Sequence, residues 1–256
     1  MHTTSPPKDL AEFLLLGAPS LGLSKAYFAS SGSDAVEAAM KLAVAFHRAN
    51  ESPYRTHFVS RERSYHGNTI GAMCLSDNPG RTRPYEKAFD RLDVSFVKSA
   101  LVNEVEAEFR RIGRQNIAAF VAETVGGSTA GCITAPKGYF EGVRRVCDEY
   151  GVLFILDEFM CGSGRTGTYC AFESEGAVCP DIVVLGKGLS GGYLYRGRQP
   201  QSTVFAICDT EERPMCRTQE SSDSIIILRF SLERCIFVSR SQPMQYSYQL
   251  TATWSS

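Results

Sequence analysis

The feature that most constrains the fold is a pair of fully apolar runs, Val152–Leu156 and Ile182–Leu185. Runs of this length without alternating polar residues are typical of central strands in a parallel sheet, because helices cover both faces of such strands. Asp157 follows the first run directly, and Lys187 follows the second after a single glycine. In an open parallel sheet these side chains emerge at the carboxyl edge, where such folds bind their ligands.

The surrounding sequence alternates short β-like runs with helical periods from about Lys8 to Gly192. This order predicts an α/β fold with a mainly parallel sheet flanked by helices. Asn103 is the expected cap of one helix, and Gly151 is the expected left-handed end of the next. The predicted strands are Lys25–Ala29, Thr56–Ser60, Ile117–Ala122, Val152–Leu156 and Asp181–Leu185, and the predicted helices are Asp34–Asn50, Asn103–Gln115 and Lys137–Tyr150.

The segment after Gly192 has a different character. Tyr193–Ser256 is rich in Ser, Gln, Arg and Cys and shows no sustained helical period. Two fragments, Ser224–Phe230 and Cys235–Val238, are strand candidates without a recognisable partner. We therefore divide the chain into a main unit, Lys8–Gly192, and a divergent tail, residues 193–256, that we expect to be poorly ordered or irregular.

Composition and short motifs argue against several classes of protein. With 27 basic and 28 acidic residues the net charge is −1, so no basic surplus favours binding to nucleic acid. The apolar runs are far shorter than the ~20 residues of a transmembrane helix. Nine dispersed cysteines without a Cys-x-x-Cys pair support neither disulfides nor a zinc ribbon, and four histidines without a His-Glu-x-x-His pattern argue against metal-dependent hydrolysis. The first residues lack the apolar core of a secretory signal, so we expect a cytoplasmic protein without a nucleic-acid, membrane or metal partner.

Asp157 and Lys187 together point to one kind of chemistry. They are separated by 187 − 157 = 30 positions, about one strand–connection–strand unit. Pyridoxal phosphate (PLP) requires an amine that forms a Schiff base and a carboxylate that keeps the pyridine nitrogen protonated. Ser31-Gly32-Ser33 directly precedes the helix predicted from Asp34, and backbone N–H groups at such a helix start can bind a phosphate.

Each of these signals also has a simpler interpretation. Ser31 and Asp34 can form an ordinary capping turn, and a lysine between glycines is usually a solvated loop residue. A further motif, Gly162–Gly167, spells the dinucleotide fingerprint Gly-x-Gly-x-x-Gly. It begins five residues after Asp157 and is not followed by a clear helical period, so we do not interpret it as a nucleotide site.

A longer set of motifs carries a resemblance to a known family. In order along the chain these motifs are Ser31–Ala39, Tyr65–Thr69, Asp157-Glu158, Gly162–Gly167, Pro180-Asp181 and Gly186–Leu189. From about Leu10 to Gly192 the chain resembles the class III aminotransferases, which are PLP enzymes of fold-type I. The resemblance implies the large domain of such an enzyme, incomplete here because the tail matches nothing in the family.

The resemblance also implies roles for individual residues. Lys187 is expected to form the Schiff base with PLP and to move the proton between the substrate and the cofactor. Asp157 is expected to pair with the pyridine nitrogen, and Gly32 and Ser33 to bind the phosphate.

Three further residues complete the expected site. Tyr65 is expected to lie against one face of the PLP ring, and Glu123 to orient neighbouring groups. Phe159 departs from the family, which usually has a small β-branched residue behind the ring, so we expect its phenyl group to crowd that ring.

The implied reaction is transamination between an amine or ω-amino acid and a 2-oxo acid, in an enzyme that is a homodimer in the intact family. We expect truncation to impair turnover, because a pocket that lacks one wall excludes water poorly. Two alternatives stay open. In the first alternative to transamination, the chain is a catalytically silent remnant that acts as partner of a full-length aminotransferase subunit. In the second, it is a PLP enzyme with another reaction such as racemisation or decarboxylation. The lysine and aspartate alone do not choose the bond that breaks.

Overall fold

The computed structural model describes residues 6–17, 23–89, 92–98, 101–127, 129–176, 178–190, 203–208 and 238–239. The strands are β1 Leu23–Ala29, β2 His57–Arg61, β3 Val94–Val97, β4 Ile117–Glu123, β5 Leu153–Asp157, β6 Ile182–Leu185, β7 Thr203–Cys208 and β8 Val238–Ser239. The α-helices are α1 Pro6–Gly17, α2 Gly32–Ala49, α3 Ile70–Cys74, α4 Pro79–Thr82, α5 Val102–Ile112 and α6 Tyr139–Tyr150. Turns of 3-10 helix cover Arg83–Ala88, Ala171–Ser174 and Lys187–Ser190.

The described strands form one sheet in the order β3-β2-β4-β5-β6-β7-β1-β8. The five strands from β3 to β6 are paired in parallel, and β7 runs antiparallel to both β6 and β1. Because β7 reverses direction between its neighbours, β1 points the same way as β6. The predicted α/β fold with a mainly parallel sheet flanked by helices is therefore confirmed.

The central strands are buried on both faces, as their apolar sequences predict. Phe154 and Leu156 on β5 belong to a core that contains residues of α5 and α6. The alternate residues Leu153 and Ile155 face a second core that contains residues of α2. Helices thus cover the two faces of the sheet, and the carboxyl ends of the strands meet at one edge between the two layers.

Of the two predicted helix caps, the one at Asn103 is wrong and the one at Gly151 is confirmed. Asn103 is not a cap: Leu101 occupies that position without a side-chain hydrogen bond, and α5 already begins at Val102. The earlier start places Val102 against α6, where a Cβ added to Gly142 would lie 2.6 Å from the valine side chain. Gly151 does end α6 in the left-handed conformation, with a φ of +63° and its N–H bonded near the end of the helix, as predicted.

The tail contributes a strand at an unexpected position. We assigned no strand to Thr203–Cys208, yet this segment forms β7 between β6 and β1. Of the predicted Cys235–Val238, only Val238 is described, and it pairs with Ala26 as part of β8. The predicted Ser224–Phe230 strand lies outside the described residues, and the division of the chain at Gly192 stays a prediction.

A buried ion pair ties α6 to the loop before β6. Arg144 Nη1 donates to Asp181 Oδ2 at 2.7 Å, and the same oxygen accepts the Phe154 N–H at 2.7 Å. Arg144 also contacts the more exposed Asp148 at 2.7 Å. Burial by itself lowers the pKa of Arg144, but the negative charge of Asp181 and its neighbours raises that pKa above its ordinary value. Asp181 therefore joins the helix, β5 and β6 through one carboxylate.

Within the described ranges of the chain, no helix is both long enough and apolar enough to cross a membrane. The same part of the chain contains no group of three or more His, Cys, Asp or Glu side chains arranged to hold a metal ion.

Candidate active site

The predicted site residues come from neighbouring strand ends on one edge of the sheet. Glu123 and Asp157 are the last residues of β4 and β5, and they are opposite each other in the register of the sheet. Asp157 is also opposite Val184 on β6, and Lys187 lies three residues further along the chain. Beyond β7, β1 ends at the same edge and leads into the start of α2.

Asp157 is a buried carboxylate with fixed orientation. Its exposed fraction is 5%. The Oδ1 atom accepts the Phe159 N–H at 3.1 Å, and the Oδ2 atom lies 2.9 Å from His66 Nδ1. Two hydrogen bonds of this kind restrict the rotation of the carboxylate, so its charge stays at the edge of the sheet.

His66 was not among the predicted site residues, although it lies inside the Tyr65–Thr69 motif. His66 is buried, with a side chain that is 0% exposed, and Nδ1 donates to Asp157 when the carboxylate is ionised. The other ring nitrogen, Nε2, is buried and finds no hydrogen-bond partner among the described residues. The structure therefore adds His66 to the site as a residue that positions Asp157.

Glu123 connects β4 to the loop that carries Tyr65. Glu123 is buried, its Oε2 accepts the Tyr65 N–H at 3.2 Å, and its Oε1 accepts the Gly127 N–H at 3.0 Å. Burial raises the pKa of this carboxyl, and the nearby negative charge of Asp157 raises it further, although His66 opposes both effects. The half-buried Tyr65 ring lies 4.9 Å from the guanidinium of Arg81. The contacts of Glu123 are those of a residue that orients its neighbours.

Lys187 lies in the loop that follows β6. Its backbone φ is +42°, in the left-handed region that non-glycine residues rarely adopt. The side chain is exposed, and Nζ contacts the Met160 sulfur and lies 4.9 Å from the centre of the Phe159 ring. A strained backbone is retained only where the surrounding structure enforces it, and such residues cluster at functional sites.

The start of α2 combines a helix cap with a contact to the Tyr65–Thr69 motif. Ser31 is the N-cap of this 18-residue helix, and its Oγ accepts the Asp34 N–H at 3.1 Å. The simpler interpretation, a capping turn, therefore applies to Ser31. Ser33 has a different partner, because its Oγ accepts the Asn68 N–H at 2.8 Å. The helix start and the Tyr65–Thr69 motif are thus in direct contact.

Phe159 connects the two halves of the site. Its ring edge packs on Gly32, where an added Cβ would lie 2.6 Å from ring atom Cε2. The same edge packs even more closely on Gly186, the residue before Lys187. The Phe159 ring therefore contacts both the start of α2, at Gly32, and the residue that follows β6, Gly186.

Glu158, the neighbour of Asp157 in the sequence, has a structural role. It is fully buried, and its carboxylate accepts hydrogen bonds from Thr124 at 2.6 Å and from the Ala171 and Phe172 N–H groups at 2.7 and 3.0 Å. Burial raises the pKa of this carboxyl, and the hydrogen bonds oppose that rise. Of the Asp-Glu pair, only Asp157 faces the other predicted site residues.

Comparison with known proteins decides the family. The family model described as Aminotransferase class-III matches residues 1–212. The chain belongs to the class III aminotransferases. This match extends beyond Gly192, where we expected the resemblance to end, and includes β7.

Individual relatives named as aminotransferases or transaminases agree with this assignment. An uncharacterized aminotransferase of Schizosaccharomyces pombe is 41% identical in an alignment 209 residues long, and the match covers 75% of this chain and 45% of that protein. A γ-aminobutyrate transaminase of Solanum lycopersicum is 33% identical over 214 residues, 75% of this chain and 40% of that protein. The crystal structure of a PLP-bound amine transaminase from an uncultivated Pseudomonas species superposes with a TM-score of 0.72 and 29% identity, over 81% of this chain and 49% of that one. The chain thus spans less than half the length of these curated relatives.

The donor groups at the carboxyl edge fit the PLP that this family implies. Lys187 supplies a primary amine, and Asp157 supplies a buried carboxylate held by His66. The start of α2 supplies backbone N–H groups at Gly32, a residue without a side chain of its own, and the phenyl ring of Phe159 packs against that glycine.

Proposed function

We propose that this chain binds PLP at the carboxyl edge of its sheet and is part of a transaminase. One observation carries the proposal: the amine of Lys187, the buried carboxylate of Asp157 and the start of α2 all lie against a single residue, Phe159. Lys187 Nζ is 4.9 Å from the centre of the Phe159 ring, the Phe159 N–H bonds to Asp157, and the ring edge contacts Gly32.

Each residue has a distinct task in this proposal. Lys187 Nζ would hold PLP through its aldehyde carbon and, once a donor amine had displaced it there, the freed amine would take the proton from the donor carbon that bears the amino group. Asp157 keeps a proton on the pyridine nitrogen, and His66 keeps the Asp157 carboxylate in place. Gly32 and Ser33 bind the phosphate at the start of α2. When bound, PLP supplies the electron-withdrawing ring that makes the substrate carbon acidic.

For the substrates we propose an amine or ω-amino acid as donor and a 2-oxo acid as acceptor. Two relatives support this class by name, one for γ-aminobutyrate and one for amines. We further propose a homodimer, as the family resemblance implies, which sedimentation of the full chain tests.

A two-step titration of the PLP-loaded chain tests the function. Addition of γ-aminobutyrate or 1-phenylethylamine is expected to replace the PLP absorbance band by the band of pyridoxamine phosphate, because the amino group moves to the cofactor. Addition of pyruvate or 2-oxoglutarate is then expected to restore the first band. Quantification of the amino acid formed from the 2-oxo acid measures the same transfer independently.

The titration needs a negative control amine, and one spectral result contradicts transamination. Triethylamine carries no transferable amino group and should leave the spectrum unchanged. A chain that binds PLP but changes its spectrum with none of the primary amines contradicts transamination. Release of carbon dioxide or inversion of an amino acid instead identifies one of the other PLP reactions.

A further inference from the structure

Lys187 stands in a backbone conformation that its own sequence does not explain. Its φ of +42° lies in the left-handed region, which is sterically unfavourable for a residue with a Cβ. Both neighbours of the lysine are glycines, which adopt this conformation without steric cost. The positive φ nevertheless falls on the lysine and on neither of these glycines. Contacts outside the turn must therefore impose the conformation of Lys187.

The turn around Lys187 is held at both ends. The Leu189 N–H donates to the carbonyl oxygen of Gly186 at 3.1 Å, which closes the turn across the lysine. On the side before the lysine, Gly186 packs closely against the phenyl ring of Phe159. On the side after it, the side chain of Leu189 is the anchor, so the contacts of this leucine decide whether the turn keeps its shape.

Leu189 packs against a small apolar cluster that α1 provides. The buried members of this cluster are Ala11 and Leu14 of α1 and Ala26 of β1. Leu14 is the largest of the three, and it is 4% exposed. Leu14 and Leu189 are separated by 189 − 14 = 175 positions in the chain. The first described helix thus supports the turn that carries the lysine of the candidate site.

We propose that α1 positions Lys187 for its reaction with PLP: Leu14 holds Leu189 in place, and Leu189 keeps the turn in the conformation that presents the amine. This inference rests on the proposed function, in which Lys187 bonds to the aldehyde carbon. Leu14 and Leu189 are positioning residues, because they act through the backbone of Lys187. Without the anchor, Lys187 relaxes to an ordinary φ and its side chain changes direction.

The experiment uses the full chain and compares a ligand that bonds to Lys187 with one that does not. PLP requires the amine, whereas pyridoxine 5′-phosphate carries an alcohol in place of the aldehyde and binds without a covalent bond. For Leu14→Ala we expect the Kd of PLP to rise about tenfold and that of pyridoxine 5′-phosphate to change little. Tenfold corresponds to about 1.4 kcal/mol, which lies within the cost of a left-handed conformation for a non-glycine residue.

Three further variants provide the controls. Leu16→Ala removes a leucine from the other side of the same helix, where it is 60% exposed, and both Kd values should match those of wild type. Leu14→Met keeps the volume and the apolar character of the side chain, so it should keep the wild-type affinity for PLP. Leu189→Ala removes the other side of the contact and should reproduce the selective effect of Leu14→Ala.

The outcomes separate this proposal from the proposed function. Circular dichroism and thermal unfolding show whether each variant is folded, and Leu189→Ala decides if Leu14→Ala does not fold. A selective rise in the Kd of PLP supports positioning by α1. Equal changes in both Kd values, or none, overturn it and leave the proposed function intact, provided that wild type binds PLP. The same selective rise in Leu16→Ala also overturns it, because Leu16 does not belong to the cluster. Absence of PLP binding by wild type overturns both proposals.

Discussion

Asp157→Asn is expected to weaken PLP binding by about 10²–10³-fold, which corresponds to about 3–4 kcal/mol at 1.4 kcal/mol per tenfold change. Asparagine has nearly the same shape as aspartate, and its oxygen still accepts one hydrogen bond. It carries no negative charge to balance a proton on the pyridine nitrogen. Loss of one partner from a buried ion pair typically costs about 3–5 kcal/mol, because the other charge is left uncompensated. An absorbance titration with PLP measures the change in Kd.

The control for this prediction is an exposed aspartate elsewhere on the chain. Asp93 lies before β3 at the opposite end of the sheet from Lys187, and Asp93→Asn should bind PLP as wild type does. Thermal unfolding of Asp157→Asn checks that the variant keeps its fold. If folded Asp157→Asn binds PLP as tightly as wild type, Asp157 does not face the pyridine nitrogen.

Asp181→Ala is expected to reduce the free energy of unfolding by about 3–5 kcal/mol, a large part of the stability of an ordinary domain. The substitution leaves Arg144 buried without its buried partner and removes the acceptor of the Phe154 N–H. Both losses occur next to the central strand β5, where water does not replace the carboxylate. Urea unfolding followed by circular dichroism measures the change.

Asp148 provides a matched control, because it contacts the same arginine from the surface. Its side chain is 41% exposed. Solvent-exposed ion pairs contribute about 0–1 kcal/mol, so Asp148→Ala should shift the urea midpoint only slightly. Asp181→Asn should fall between the two, since it keeps an acceptor for the Phe154 N–H but loses the charge. Equal effects of Asp148→Ala and Asp181→Ala would show that burial of Asp181 has no energetic importance.

The sequence predicts best those parts of the fold that depend on adjacent residues, such as β5, β6 and the end of α6. β5 and β6 are apolar runs that are buried on both faces, and a run of this kind has few alternatives to a central strand. Gly151 ends α6 because glycine adopts the left-handed conformation without steric cost. These features depend on a few adjacent residues, so a single sequence contains the information.

The features that sequence reasoning missed depend on distant partners. β7 is a six-residue strand in a polar tail, and it is stabilised by pairing with β6 and with β1, whose Tyr27 pairs with Phe205, 205 − 27 = 178 positions away in the chain. The hydrogen bond between His66 and Asp157 spans 91 positions. The Tyr65–Thr69 motif identifies the loop that lies at the site. Only the packing of that loop against β5 shows that His66 is the side chain that contacts the Asp157 carboxylate.

For Phe159, the family resemblance predicts crowding of the cofactor ring but not which residues the phenyl group contacts. The sequence comparison with the family identified an oversized residue behind the expected ring and predicted crowding. In the structure the phenyl group packs against two glycines, Gly32 at the start of α2 and Gly186 after β6. Steric complementarity of this kind involves three separate segments, and no single motif encodes it.

The most direct test of the central assignment is to identify which lysine carries PLP. The full chain is incubated with PLP, the covalent bond is fixed by reduction with sodium borohydride, and the digested protein is mapped by mass spectrometry. We predict one predominant modified peptide, with the label on Lys187. Predominant labelling of another lysine, or an even distribution over exposed lysines such as Lys137, would contradict the assignment of this edge of the sheet as the PLP site.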